Sequence, residues 1–118
     1  MKQINQQQLI EFLDTYKKCA GSVMKKSWVV SHLKPIGFKI DEKRNRLILG
    51  DKQVALRVDY GYKDEAGYAI GFVIEAIWSL LCDTKPKDMT CVFPSSMYYL
   101  IELRERTDRA VEMIKAVV

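Results

Sequence analysis

The chain has one histidine, three prolines and three cysteines, and none of them falls into a catalytic or metal-binding pattern. Cys19, Cys82 and Cys91 are odd in number and no two are spaced as a CxxC pair, so neither a disulfide framework nor a zinc ribbon is written here. With His32 alone, a His-rich metal site is excluded, and a Cys–His dyad would need His32 to meet a cysteine in space. The phosphate-cradling patterns GxxxxGK and GxGxxG are absent. Long apolar runs are missing too. The longest stretch that resembles a membrane segment, residues 66–82, has 17 residues and is interrupted by Glu75. The start, MKQINQQQLIEFL, lacks the continuous apolar region of a secretion signal. The expectation is a reduced, cytoplasmic chain with no membrane partner and no cofactor or metal.

What is present suits a single globular domain over residues 1–118. At 118 residues and 48% hydrophobic content, folding should bury roughly two thirds of the unfolded surface, enough for a real core. A helix is expected over about 5–18, with Asn5 as N-cap, Ile4 and Leu9 as hydrophobic staple, and Leu9, Leu13, Tyr16 and Ala20 as its apolar stripe. Gly21 and Ser22 should end it. A shorter helix fits 27–33, stopped by Lys34-Pro35 and Gly37.

From Phe38 to Tyr62 the apolar period changes to two, and three strands are the natural reading, with turns near 42–45 and at Gly50-Asp51. Residues 68–74 read equally as a fourth strand or as the start of a helix, in which Gly67 and Gly71 would each cost about 1 kcal/mol relative to alanine. Residues 76–82 look helical and buried, 84–88 a polar loop and 89–93 a short strand. A long final helix capped by Ser95 or Ser96 follows, with Met97, Leu100, Ile101, Thr107, Ala110, Val111, Ile114 and Val117 as its stripe. Pairs of Glu102 with Arg106 and of Glu105 with Arg109 should line its outer face. The fold class is thus α+β: a three- or four-stranded antiparallel meander packed against an N-terminal helical pair and a long C-terminal helix.

Charge is distributed unevenly. Residues 17–57 hold eleven of the 19 basic side chains and only three of the 15 acidic ones, while the rest of the chain is net acidic. In the expected register Lys39, Arg46 and Arg57 point away from the core on three adjacent strands, and Lys43 and Arg44 crown the hairpin tip. Lys25 and Lys26 precede Trp28, which would stack on a base beside phosphate-binding lysines if it is partly exposed. These eight residues, Lys25, Lys26, Trp28, Lys39, Lys43, Arg44, Arg46 and Arg57, form the candidate nucleic-acid surface. The plainer account is that an antiparallel sheet needs a solvated face and that edge lysines deter aggregation. Tyr60 and Tyr62 share the face of Val54 and Leu56 and read as core or rim.

Catalytic residues are not evident. Asp59 and Glu75 are the one carboxylate pair that a hairpin register would bring together, as in a metal-dependent nuclease, but Glu75-Ala76-Ile77 lacks the lysine that pattern wants. Solvated or ion-paired roles, such as Asp59 with Arg57 or Glu75 with Arg46, fit better. The leading expectation is a non-catalytic module contacting nucleic-acid phosphates. A protein-interaction module with an acidic partner, or a homodimer, comes second, and a nuclease-like enzyme third.

Overall fold

The computed structural model describes residues 4–61, 65–82 and 97–118, the stretch 97–100 through its backbone alone. Tyr62, Cys91, the 84–88 loop, the 89–93 strand and the Ser95 or Ser96 cap lie outside the described residues. The first helix, α1 (Gln6–Tyr16), starts as its sequence demands. Asn5 Oδ1 accepts the Gln8 N–H at 3.1 Å, while Ile4 and Leu9 are both buried at its entry. Such a cap contributes about 1 kcal/mol. A short 3-10 turn (Lys17–Cys19) leads to strand β1 (Val23–Lys25), which runs directly into α2 (Lys26–Leu33). Gly37, at φ 126°, closes α2 by turning the chain so that its own N–H and that of Phe38 reach the Leu33 carbonyl, each at 3.2 Å.

The meander follows as β2 (Lys39–Asp41), β3 (Arg46–Leu49) and β4 (Lys52–Ala55), antiparallel in the order β2-β3-β4. Gly50, at φ 62°, makes the glycine-first turn between the paired Leu49 and Lys52. Pairing partners share a face, so the outer side carries Lys39, Asp41, Arg46, Ile48, Gln53 and Ala55. Leu47 and Leu49 are buried on the inner side.

The expected third strand is in fact two. Leu56 is buried and donates its N–H to the Asn45 carbonyl at 2.7 Å, which closes the meander. The chain then enters a second sheet as β5 (Val58–Tyr60), and β6 (Ala66–Ala69) lies between β5 and β1 in the order β1-β6-β5.

The ambiguous stretch 68–74 resolves into both readings in succession. Strand β6 ends at Ala69, and α3 (Ile70–Leu81) begins at the next residue without a side-chain cap. Its first N–H groups are satisfied by backbone instead: Ile70 donates to the Ser22 carbonyl at 3.0 Å and Gly71 to that of Ala20 at 2.9 Å.

The last helix, α4 (Met97–Val117), lies along α3 in the same sense. Gly71 meets Leu103 and Thr107, and Cys82 reaches the Met113 carbonyl further along. The α4 side chains that reach the core are Leu103, Thr107, Ala110, Val111 and Ile114. Ile101 and Val117, expected in that stripe, are each 48% exposed. Of the expected outer pairs, Arg106 to Glu102 is formed at 2.9 Å. Among the described residues no helix is long and apolar enough to cross a membrane.

Candidate nucleic-acid interface

The hairpin between β2 and β3 is built from its own polar side chains. Asp41 Oδ1 accepts the backbone N–H groups of Lys43 at 3.0 Å and Arg44 at 3.1 Å, an aspartate turn. Asn45 then takes the left-handed conformation, φ 54°, which asparagine tolerates better than most residues. Its side chain is fixed from the other sheet, because the buried Tyr68 donates its hydroxyl proton to Asn45 Oδ1 at 2.8 Å. Burial, with Glu42 and Asp41 nearby, pushes the Tyr68 phenol up to about 12, so it stays a donor across the neutral range.

This geometry draws the start of α2 onto the hairpin. Lys26 Nζ donates to the Glu42 carbonyl at 3.4 Å and sits 5.6 Å from the centre of the Tyr68 ring. Lys26 is thereby set beside the hairpin that carries Lys43 and Arg44, with Lys25 the residue before it. Lys25 is shared with Glu65, at 3.5 Å, through side chains 70% and 55% exposed, an arrangement worth little in solvent. Because Asp41 spends an oxygen on backbone N–H groups, Lys43 and Arg44 keep ammonium and guanidinium groups with no ion pair among the described residues. Arg46 faces Asp41 across β2 and β3, and Lys39 lies on the same outer face, diagonal to Arg46.

Arg57 departs from the expectation. It lies beyond the end of β4, off the meander face, with its guanidinium 5.0 Å from the Phe72 ring centre and 3.5 Å from the Asp59 carboxylate. The position suits a structural tie better than a solvated contact, and the cause is the break between β4 and β5.

Trp28 is half-buried. His32 stacks on it with centroids 3.8 Å apart, Tyr16 meets it edge-on at 5.0 Å, and His32 Nδ1 lies 2.8 Å from the Trp28 carbonyl, which it can only reach as a donor. Trp28 also lines a cleft of about 410 Å³ whose other walls are Val23, Met24, Lys25, Gly61, Glu65 and Ala66. Tyr60, read from the sequence as core or rim, is 70% exposed. It pairs with Ala66, one of the cleft walls, on edge strand β5. Tyr60, Glu65 and Asn45 had no signal of their own in the sequence, since their roles depend on pairings across the second sheet.

The two carboxylates considered as a metal pair answer to different neighbours. Asp59 is held by Arg57, and burial still raises its carboxyl above the ordinary value. Glu75 is buried against α4, where Arg106 and Arg109 are its nearby cations, in place of the Arg46 contact considered above. Among the described residues no group of three or more His, Cys, Asp or Glu is placed to hold a metal. The chain matches no family model, no curated protein and no solved structure, so this geometry stands by itself.

Proposed function

We propose that the protein is a non-catalytic binding module that sets the cations of the β2–β3 hairpin and of the α2 start on nucleic-acid phosphates. The observation that supports this reading is the Lys26–Glu42 contact, which sets Lys26 against the hairpin that carries Lys43 and Arg44. Their charge is only partly offset by Asp41, Glu42 and Glu65, and a phosphate chain laid on the remaining cations gains attraction while releasing its own counterions. Lys39 and Arg46 extend the track along the outer face of the meander. Contacts of this kind position a strand without reading its sequence. An acidic protein surface would meet the same cations.

The test is fluorescence anisotropy of labelled DNA and RNA, single-stranded and duplex, against the protein at rising salt. Binding at low salt that weakens with salt is expected. A Lys26→Glu, Lys43→Glu, Arg44→Glu protein should lose it, while a control reversed at the exposed Lys18 and Arg104 should keep most of it. Absence of binding to every probe at low salt would overturn the reading and favour an acidic protein partner.

A further inference from the structure

We infer that the cleft beside Trp28 takes an unstacked nucleobase, which makes the ligand single-stranded; this rests on the nucleic-acid reading above and adds the strand class. The cleft combines three properties that phosphate binding alone does not need. Its lining residues include the aromatic Trp28 and the apolar Val23, Met24 and Ala66. Its size, about 410 Å³, lies within the range of roughly 300–1,000 Å³ typical of small-ligand pockets. It also adjoins the basic cluster directly, because Lys25 is both a cleft wall and the residue before Lys26.

The neighbouring groups fit the same ligand. Tyr60 is 70% exposed beside the Ala66 wall, and a tyrosine ring that open to water serves as a second stacking surface at little conformational cost. Glu65 supplies an acceptor for the exocyclic amino group of a base. Its present partner, Lys25, can turn to a phosphate instead, since their ion pair is exposed. A duplex keeps its bases stacked and offers the protein only groove edges, so a pocket that needs a whole ring favours a strand whose bases are already free. The His32 stack and the Tyr16 edge contact hold the indole in place before any ligand arrives.

The experiment uses the full chain carrying Trp78→Phe, so that Trp28 is the sole tryptophan. A labelled mixed-sequence single strand and the duplex of the same sequence are titrated at low salt, with anisotropy and Trp28 emission read together. The expected result is at least tenfold tighter binding of the single strand, with Trp28 emission quenched by that strand and unchanged by the duplex. Tyr60→Ala, at an exposed position, should fold normally and weaken single-strand binding about fivefold, the scale of one lost stacking contact. Equal affinity for both forms, with Trp28 emission unmoved, would overturn the cleft inference and leave phosphate binding standing. Binding of neither form would remove the function on which it rests and the inference with it.

Discussion

The Tyr68 hydroxyl donates to Asn45 Oδ1 at 2.8 Å, across 23 residues of sequence and from one sheet to the other. The donor ring is wholly buried, and the acceptor belongs to a residue in the left-handed conformation whose carbonyl also takes the Leu56 N–H. The orientation of the basic hairpin is thus fixed by a side chain in the other sheet. Tyr68→Phe and Asn45→Gly each remove this bond, the second while keeping the backbone conformation. Each is expected to lower stability by about 1 kcal/mol, the usual net value of such a bond. The two losses should not add when urea unfolding is compared with that of the double variant. Fully additive losses would show that the bond holds nothing.

Two glycines permit close approach, and they should differ in what their replacement costs. A Cβ on Gly71 would lie 2.8 Å from Leu103 Cδ1 and 2.9 Å from Thr107 Oγ1, so α3 and α4 must separate or Leu103 must change rotamer. Gly71→Ala is expected to cost about 1–3 kcal/mol, as in overpacked cores. A Cβ on Gly67 would instead collide with the Met24 backbone carbonyl, and no rotamer relieves a clash with main chain. Gly67→Ala should therefore be the more damaging, separating β1 from β6. Thermal unfolding of the two variants checks the order.

Much of this architecture was legible because the pattern is local. Asn5 and the Ile4–Leu9 staple mark the start of α1, and the alternation around Leu47 and Leu49 fixes which face of the meander is buried. What escaped depends on distant partners. The alternation from Val54 to Tyr60 stays in phase through Leu56, so nothing in it reveals that the chain changes sheet there. The start of α3 was unreadable because its first N–H groups are met by the Ala20 and Ser22 carbonyls, leaving no capping residue to see. The same limit applies to the candidate site. The hairpin cations announce themselves, but Arg57 is diverted to Phe72 and Asp59 once the chain leaves the meander, and Tyr60, on the face of the buried Tyr68, is exposed at the end of edge strand β5.

Glu75 should make stability depend on pH. Its carboxyl is buried between α3 and α4, and Oε2 has no hydrogen-bond partner among the described residues. Burial raises it from 4.5 to about 7, with Arg106 and Arg109 pulling down and Glu102 pushing up. Between those two values the folded protein holds a proton that the unfolded chain has released, so stability falls as pH rises through this window. Relative to Glu75→Gln, which keeps the shape and cannot ionise, the native chain is expected to lose about 3 kcal/mol from pH 4.5 to above 7. Urea midpoints of both proteins across that range measure the difference. Parallel pH profiles would mean that Glu75 is ionised and satisfied in the fold.

The basic residues themselves can be sorted by salt. Each phosphate neutralised on a single strand adds about 0.7 to the slope of log K against log salt concentration. Lys43→Ala with Arg44→Ala should therefore lower that slope by about 1.4, leaving stability nearly unchanged because neither side chain has an ion pair among the described residues. Arg57→Ala should do the opposite. Its guanidinium covers the Phe72 ring and faces Asp59, so its loss is expected to cost roughly 1–2 kcal/mol of stability, within the range of a desolvated cation–π contact, and to leave the slope alone. Salt titrations of the two variants beside their urea midpoints separate the effects. A reduced slope for Arg57→Ala would return that residue to the binding track, and an unchanged slope for the hairpin pair would move the phosphate contacts off the β2–β3 tip.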